Sequence, residues 1–307
     1  MQILFSLIGT LIFSTFSWWG FSGILWQEIT WPNFEKGKIV NIDESEYYAN
    51  RLKPGEYPEI SAKSAVIVDL RNGSLVFEKN SDEVWPIASI SKMMSALVLM
   101  EDLNLDLEKY YIIKESDKRS GGRQYLFTGD EVKVSDLLAL SLIPSENTSV
   151  IAMVSFLGLS EEDFVVKMND KAKSLGLKNT VFFDPTGLDS RNVSTAKEVA
   201  VFLQKALAIK EIQDLAKNYN YKFSTKQGSV RKVVSTNELL EYTFSDGYNV
   251  KILGGKTGFN DRAGYCFGTK FVINNNQEYI SVVLNASTLK NRFVDTRRLL
   301  ERLCTSF

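Results

Sequence analysis

The chain has 307 residues, 44% hydrophobic and 24% charged, which allows one large buried core or two small ones. Its net charge of −1, with no long single-sign run, excludes a general attraction to nucleic acid. There is no histidine, so every Ser-His-Asp or Cys-His catalytic unit is excluded and a zinc hydrolase site is disfavoured.

The first element is a membrane segment. Glu28 is the first charged residue, and the uncharged run before it is rich in Leu, Ile, Phe and Trp. It is long enough to span a hydrocarbon core as a helix. Trp18, Trp19, Trp26 and Trp31 cluster near its end, as an interfacial belt would. Residues 1–27 are read as an anchor or signal segment, with an uncleaved anchor favoured because no small-x-small cleavage site or basic n-region is seen. Both readings place the rest of the chain outside the cytoplasm. Residues 28–60, punctuated by Pro32, Gly37, Pro54, Gly55 and Pro58, read as a tether, and 61–307 as the compact domain.

Ser64 to Leu70 reads as a strand, Asn72-Gly73 as a hairpin turn, and Ser74 to Glu78 as the returning strand. Helices are expected from Ser89 to Asp102, Val134 to Leu142, Thr148 to Leu157, Glu161 to Leu175 and Thr195 to Leu207. Thr195 or Ser194 is placed to cap the last of these, with Glu198 closing a capping box. Strands return at Val250 to Leu253, Gly264 to Ile273 and Glu278 to Leu284, before a final helix from Arg292 to Leu303. Strands at both ends around a helical middle predict an α+β fold, not the βαβ alternation of a parallel sheet. The antiparallel sheet draws on both chain ends and a helical subdomain is inserted between them. Cys266 and Cys304 are too few for a disulfide framework; buried free thiols are expected, with a single bridge between them as the alternative.

Chemistry enters at Ser89-Ile90-Ser91-Lys92. The stretch that follows, Met93 to Met100, is apolar almost all round, so the helix is buried and Lys92 with it. A buried lysine either finds a partner or loses its proton. Ser89, three residues earlier, shares its face, and the helix N-terminus favours negative charge there. Ser-x-x-Lys also begins at Ser194, Ser229 and Ser287, but only the Ser89 copy opens an apolar helix. The plain alternative for Ser89 is a helix cap. Ser145 and Asn147 lie between two predicted helices after Pro144, where capping is again the alternative. Lys256-Thr257-Gly258 occurs once, after a strand-like run. A cation and a hydroxyl on a strand edge suit a carboxylate, and Gly258 admits a substrate backbone. The alternative is a turn.

The three motifs in this order resemble the serine penicillin-recognising enzymes. The flanks Leu142-Ile143-Pro144-Ser145-Glu146-Asn147, Asp184-Pro185-Thr186-Gly187-Leu188-Asp189 and Thr236-Asn237-Glu238 narrow the likeness. So does Ala263-Gly264-Tyr265-Cys266, and together they resemble low-molecular-mass D-alanyl-D-alanine carboxypeptidases. The resemblance implies a β-lactamase/transpeptidase-like fold, an acyl-enzyme on Ser89, and Lys92 as general base. It implies Ser145 and Asn147 as proton relay and peptide holders, and Lys256 and Thr257 as carboxylate binders. Gly258 and Phe259 border the same subsite, with the N–H groups of Ser89 and Phe259 forming the oxyanion hole. Implied partners are peptidoglycan stem peptides, with β-lactams as covalent inhibitors. No cofactor or metal is implied. A D,D-endopeptidase shares these motifs. A class A β-lactamase is disfavoured because Asp184-Pro185-Thr186-Gly187 stands where its deacylating glutamate would lie. A peptidoglycan-binding module without activity is the non-enzymatic alternative. Glu146 departs from the family pattern, in which a small residue is common.

Overall fold

The computed structural model describes residues 56–244, 249–274 and 276–305. The expected anchor at 1–27 and most of the tether lie outside the described residues. Among those described, no helix is long and apolar enough to cross a membrane. Packed chain begins before the expected boundary at Ser61. Tyr57 sits 4.8 Å from the Phe77 ring and Pro58 and Ile60 are buried.

Strands β1 (Ser64–Asp69) and β2 (Leu75–Lys79) form the early hairpin. β9 (Val250–Asn260), β10 (Gly264–Ile273) and β11 (Gln277–Ala286) form the late meander. The two join into one antiparallel sheet in the order β2-β1-β11-β10-β9, with Ser64 paired to Leu284. This bears out the α+β expectation of a sheet built from both chain ends. The central strands are buried on both faces, so β11 reads as a continuous apolar run. Ile280, Val282 and Leu284 face one core, while Tyr279 and Val283 face the other.

Helix α5 (Ala196–Ala206) covers the first face and α7 (Asn291–Cys304) the second. On the α5 side lies the helical part. It holds α1 (Ser91–Leu97), α2 (Val134–Leu142), α3 (Asn147–Phe156), α4 (Glu161–Ser174) and α6 (Lys210–Ala216). The expected Ser89 helix is three coils in series: a 3-10 turn at Ala88–Ile90, α1, and a π turn at Val98–Asp102. Three short ribbons escaped the period-2 reading: β3 (Trp85–Pro86) with β6 (Val193–Ser194), β4 (Tyr110–Ile112) with β5 (Glu131–Lys133), and β7 (Asn220–Ser224) with β8 (Val230–Val234). The first ties the segment before Ser89 to the segment after the Asp184 loop, and Ile87 N–H donates to Asn192 O at 3.0 Å.

The α5 cap forms by halves. Thr195 Oγ1 accepts from Glu198 N–H, as expected, but the Glu198 carboxylate turns outward. It takes the N–H groups of Lys178 and Asn179 and the Thr180 hydroxyl. Cys266 is buried and Cys304 half-buried, both as free thiols.

Candidate active site

Ser89 rides on the 3-10 turn, half-buried, with Ala88 before it at φ +46°. That left-handed conformation is costly for a residue with a Cβ and persists only where the surroundings enforce it. Two glycines enforce it. A Cβ on Gly187 would lie 2.0 Å from Ala88 O and 2.7 Å from Ser89 N. A Cβ on Gly258 would lie 2.6 Å from Ile87 O. Gly258 also borders the cleft, and its missing side chain makes room for the protein's own backbone beneath the serine. Gly187 itself has φ +86°. Gly187→Ala should therefore push the serine turn out of place, costing about 2–3 kcal/mol. A thermal melt lower by about 4–12 °C, with acylation down in the folded fraction, is the expected outcome.

Lys92 enters from the first turn of α1 and is fully buried. Its Nζ lies 3.0 Å from Ser89 Oγ, 2.7 Å from Asn147 Oδ1 and 2.7 Å from Thr186 O. Burial pulls its pKa down to about 7, while the Asp184 and Glu146 carboxylates push the other way. In the neutral amine, two N–H bonds serve Asn147 and Thr186 and the lone pair is left to accept the Ser89 hydroxyl proton. Asn147 is held from behind. Its Nδ2 donates to Ser120 O and Gly121 O, which turns the amide oxygen toward Lys92.

The Asp184-Pro185-Thr186-Gly187 loop is a bracket for this geometry. The Asp184 carboxylate accepts from the N–H groups of Thr186, Gly187 and Asp189 and from the Thr186 hydroxyl. Its lone pairs are spent on its own loop rather than offered to a water. Asn192, fully buried, clamps the loop by accepting from Phe183 and Asp184 N–H and donating to Ser91 Oγ. The other Ser-x-x-Lys copies do no such work. Ser194 bonds to Thr180 while Lys197 pairs with Glu78 and Asp82, and the Ser229 and Ser287 copies are exposed.

A cleft of about 780 Å³ opens above Ser89. Ser145 and Asn147 border one side, and Thr257, Gly258 and Phe259 the other. Ser145 reaches its place through φ +65°, and Asn147 starts α3. Thr257 Oγ1 lies 2.6 Å from Thr236 Oγ1. Lys256-Thr257-Gly258 is inside edge strand β9, not in a turn, and β9 runs on to Asn260 rather than ending at Leu253. Lys256 lies behind this wall, 1% exposed, with its Nζ on Thr257 O at 3.0 Å. Burial and the Lys92 and Arg292 cations hold its pKa well below that of an ordinary lysine.

Two arginines border the cleft, Arg123 and Arg292, and the second lies in the first turn of α7 beside the Thr257 wall. Its guanidinium lies over the Tyr265 and Phe293 rings, and Nη1 reaches Gly258 O at 3.5 Å. Its Nε is buried and has no hydrogen-bond partner among the described residues. A lone arginine opening an amphipathic helix carries no sequence signal; only the packing of α7 on β11 and β10 brings it here.

The family model described as Peptidase_S11, D-alanyl-D-alanine carboxypeptidase, matches residues 51–288. The chain is 36% identical over 250 residues to the D-alanyl-D-alanine carboxypeptidase DacF of Bacillus subtilis, covering 78% of this chain and 61% of that one. It is 34% identical to a D-alanyl-D-alanine endopeptidase of Escherichia coli, covering 79% and 77%. Among solved structures, penicillin-binding protein D2 of Listeria monocytogenes in its ampicillin-bound form superposes with a TM-score of 0.69 at 30% identity, covering 80% and 98%. A Streptomyces DD-transpeptidase shares the fold, with a TM-score of 0.74 at 24% identity and coverage of 82% and 100%. With a family match across most of the described chain and the three motifs gathered on one cleft, this protein belongs to the D-alanyl-D-alanine carboxypeptidase family of serine peptidases.

Proposed function

We propose that the chain is a serine D,D-carboxypeptidase that removes the terminal D-Ala from peptidoglycan stem peptides. The observation that carries this reading is the contact of Ser89 Oγ with a buried lysine whose pKa is about 7, in a chain without histidine. Lys92 takes the hydroxyl proton as Ser89 Oγ attacks the carbonyl of the penultimate D-Ala. The peptide bond breaks, the departing D-Ala nitrogen receives a proton, and the acyl group stays on Oγ. Water then adds to the ester, returning the serine and a shortened peptide. Ser145 passes the proton and Asn147 holds the peptide. The N–H groups of Ser89 and Phe259 hold the oxyanion; β9 is an edge strand, so alternate N–H groups face away from β10. Thr257, with Arg292 beside it, suits the terminal carboxylate, and Lys256 braces this wall from behind through Thr257 O.

A β-lactam presents a strained amide in place of the D-Ala bond and leaves Ser89 acylated, in keeping with the ampicillin-bound relative. The uncharged run before Glu28 supports an enzyme held at the outer side of the membrane, where its substrate lies, with 1–27 as anchor or signal segment. Cross-link cleavage by a D,D-endopeptidase is the second reading. A D-alanyl-D-alanine endopeptidase of Escherichia coli stands among the chain's relatives at 34% identity.

The test is incubation of the purified chain with pentapeptide and with cross-linked muropeptides, followed by mass measurement. Loss of one alanine from the pentapeptide, with cross-links intact, is the expected product. Cut cross-links alone would give the activity to the second reading. No turnover together with no labelling by fluorescent penicillin would overturn both.

A further inference from the structure

Glu146 stands between Ser145 and Asn147, where its relatives' pattern favours a small residue, yet it neither faces solvent nor borders the cleft. It is 2% exposed. Its carboxylate accepts the Ser149 N–H at 2.6 Å, and Ser149 Oγ donates back to Glu146 O at 2.8 Å. It is thus the N-cap of α3, the helix whose first residue, Asn147, holds Lys92 Nζ. A charged cap in a dry site has a second consequence, because its field reaches the neighbouring amine with little screening.

We propose that Glu146 is a positioning residue that acts through Lys92. Its carboxylate fixes the turn that presents Asn147, and its negative charge sets how readily Lys92 gives up its proton. Glu146 raises the affinity of Lys92 for a proton, against the dominant effect of burial. Burial in turn pushes the Glu146 pKa up, and Lys92 pulls it back. The other titratable groups facing Lys92 are Asp184, on the bracket loop, and Lys256, on β9. Replacing Glu146 leaves both residues in place. The inference rests on Ser89 and Lys92 forming the acylation pair, and the test separates the two.

Glu146→Gln keeps an oxygen for the Ser149 N–H and removes the charge. The acylation rate with fluorescent penicillin is measured from pH 5 to pH 9 for both proteins. The acid limb of the variant should move to lower pH. On that limb its rate should exceed that of the unaltered chain at every pH where the Glu146 carboxylate is ionised, because the free amine is then the larger fraction. Glu146→Ala should show the same displacement with a lower melting temperature, because the cap is lost as well. An acid limb unmoved in the glutamine variant overturns the inference even if both proteins are acylated normally. An unaltered chain that does not acylate at all would instead overturn the proposed function.

Discussion

Ser89→Ala should abolish labelling by fluorescent penicillin while leaving the fold intact. The substitution removes one oxygen from a half-buried turn whose shape is set by Gly187 and Gly258 rather than by the serine hydroxyl. Lys92 loses one of three partners but keeps Asn147 Oδ1 and Thr186 O. The melting temperature should therefore stay within about 2 °C. No other hydroxyl meets Lys92 Nζ among the described residues. Ser145 borders the same cleft without such a contact, so it does not replace the nucleophile. Acylation should fall by at least about a thousandfold. Full labelling of the alanine variant would remove Ser89 from the mechanism.

Lys92→Met should cost about 10²–10⁴-fold in acylation, the usual worth of a positioned proton acceptor. Methionine fills the buried channel but has no lone pair of comparable basicity. It also leaves Asn147 Oδ1 and Thr186 O without their donor, a penalty of about 1–3 kcal/mol for each group left dry. That penalty is opposed by release of a desolvated amine, so stability is a poor reporter and the acylation rate is the measurement of choice. The pH profile of the unaltered chain gives an independent check. Only the free amine accepts the serine proton, and its pKa is about 7. The rate should climb about tenfold per pH unit below that value and level off above it. The same depression makes folding more favourable as pH rises from about 7 toward the unfolded lysine value near 10.4, since across that window only the unfolded chain keeps the proton. A methionine variant that acylates at near-normal rate, or a profile flat from pH 5 to pH 9, would reject Lys92 as base.

How much of this was legible in advance differs by element. The α2 helix was read to the residue, and β10 likewise, because each buries a strongly apolar pattern with clear ends. The Ser89 helix was found, but its three-part winding was not. The wedge of Gly187 and Gly258 beneath Ala88 sets its opening 3-10 turn, and both glycines lie more than ninety residues away in sequence. The small ribbons were missed because strands of two to five residues show too few alternations to stand out, and α6 because its 7 residues make only about two turns. Lys256 was assigned to the carboxylate, and its burial behind Thr257 could not be read from the motif. Which face of a strand looks into a cleft depends on what packs against it.

The sequence by itself determined the chemistry available to this protein. Without histidine, a lysine had to be the base, and one Ser-x-x-Lys among four opened a helix apolar enough to bury its amine. Local pattern carries that much because burial of a continuous helix follows from its own residues. Tertiary structure alone decided which groups meet. The Asp184 loop delivers Thr186 O to Lys92, α3 delivers Asn147 and Glu146, and α7 carries Arg292 to the opposite wall. Those contacts join segments tens to hundreds of residues apart, and their energies depend on a dry, shaped interior that no single segment contains.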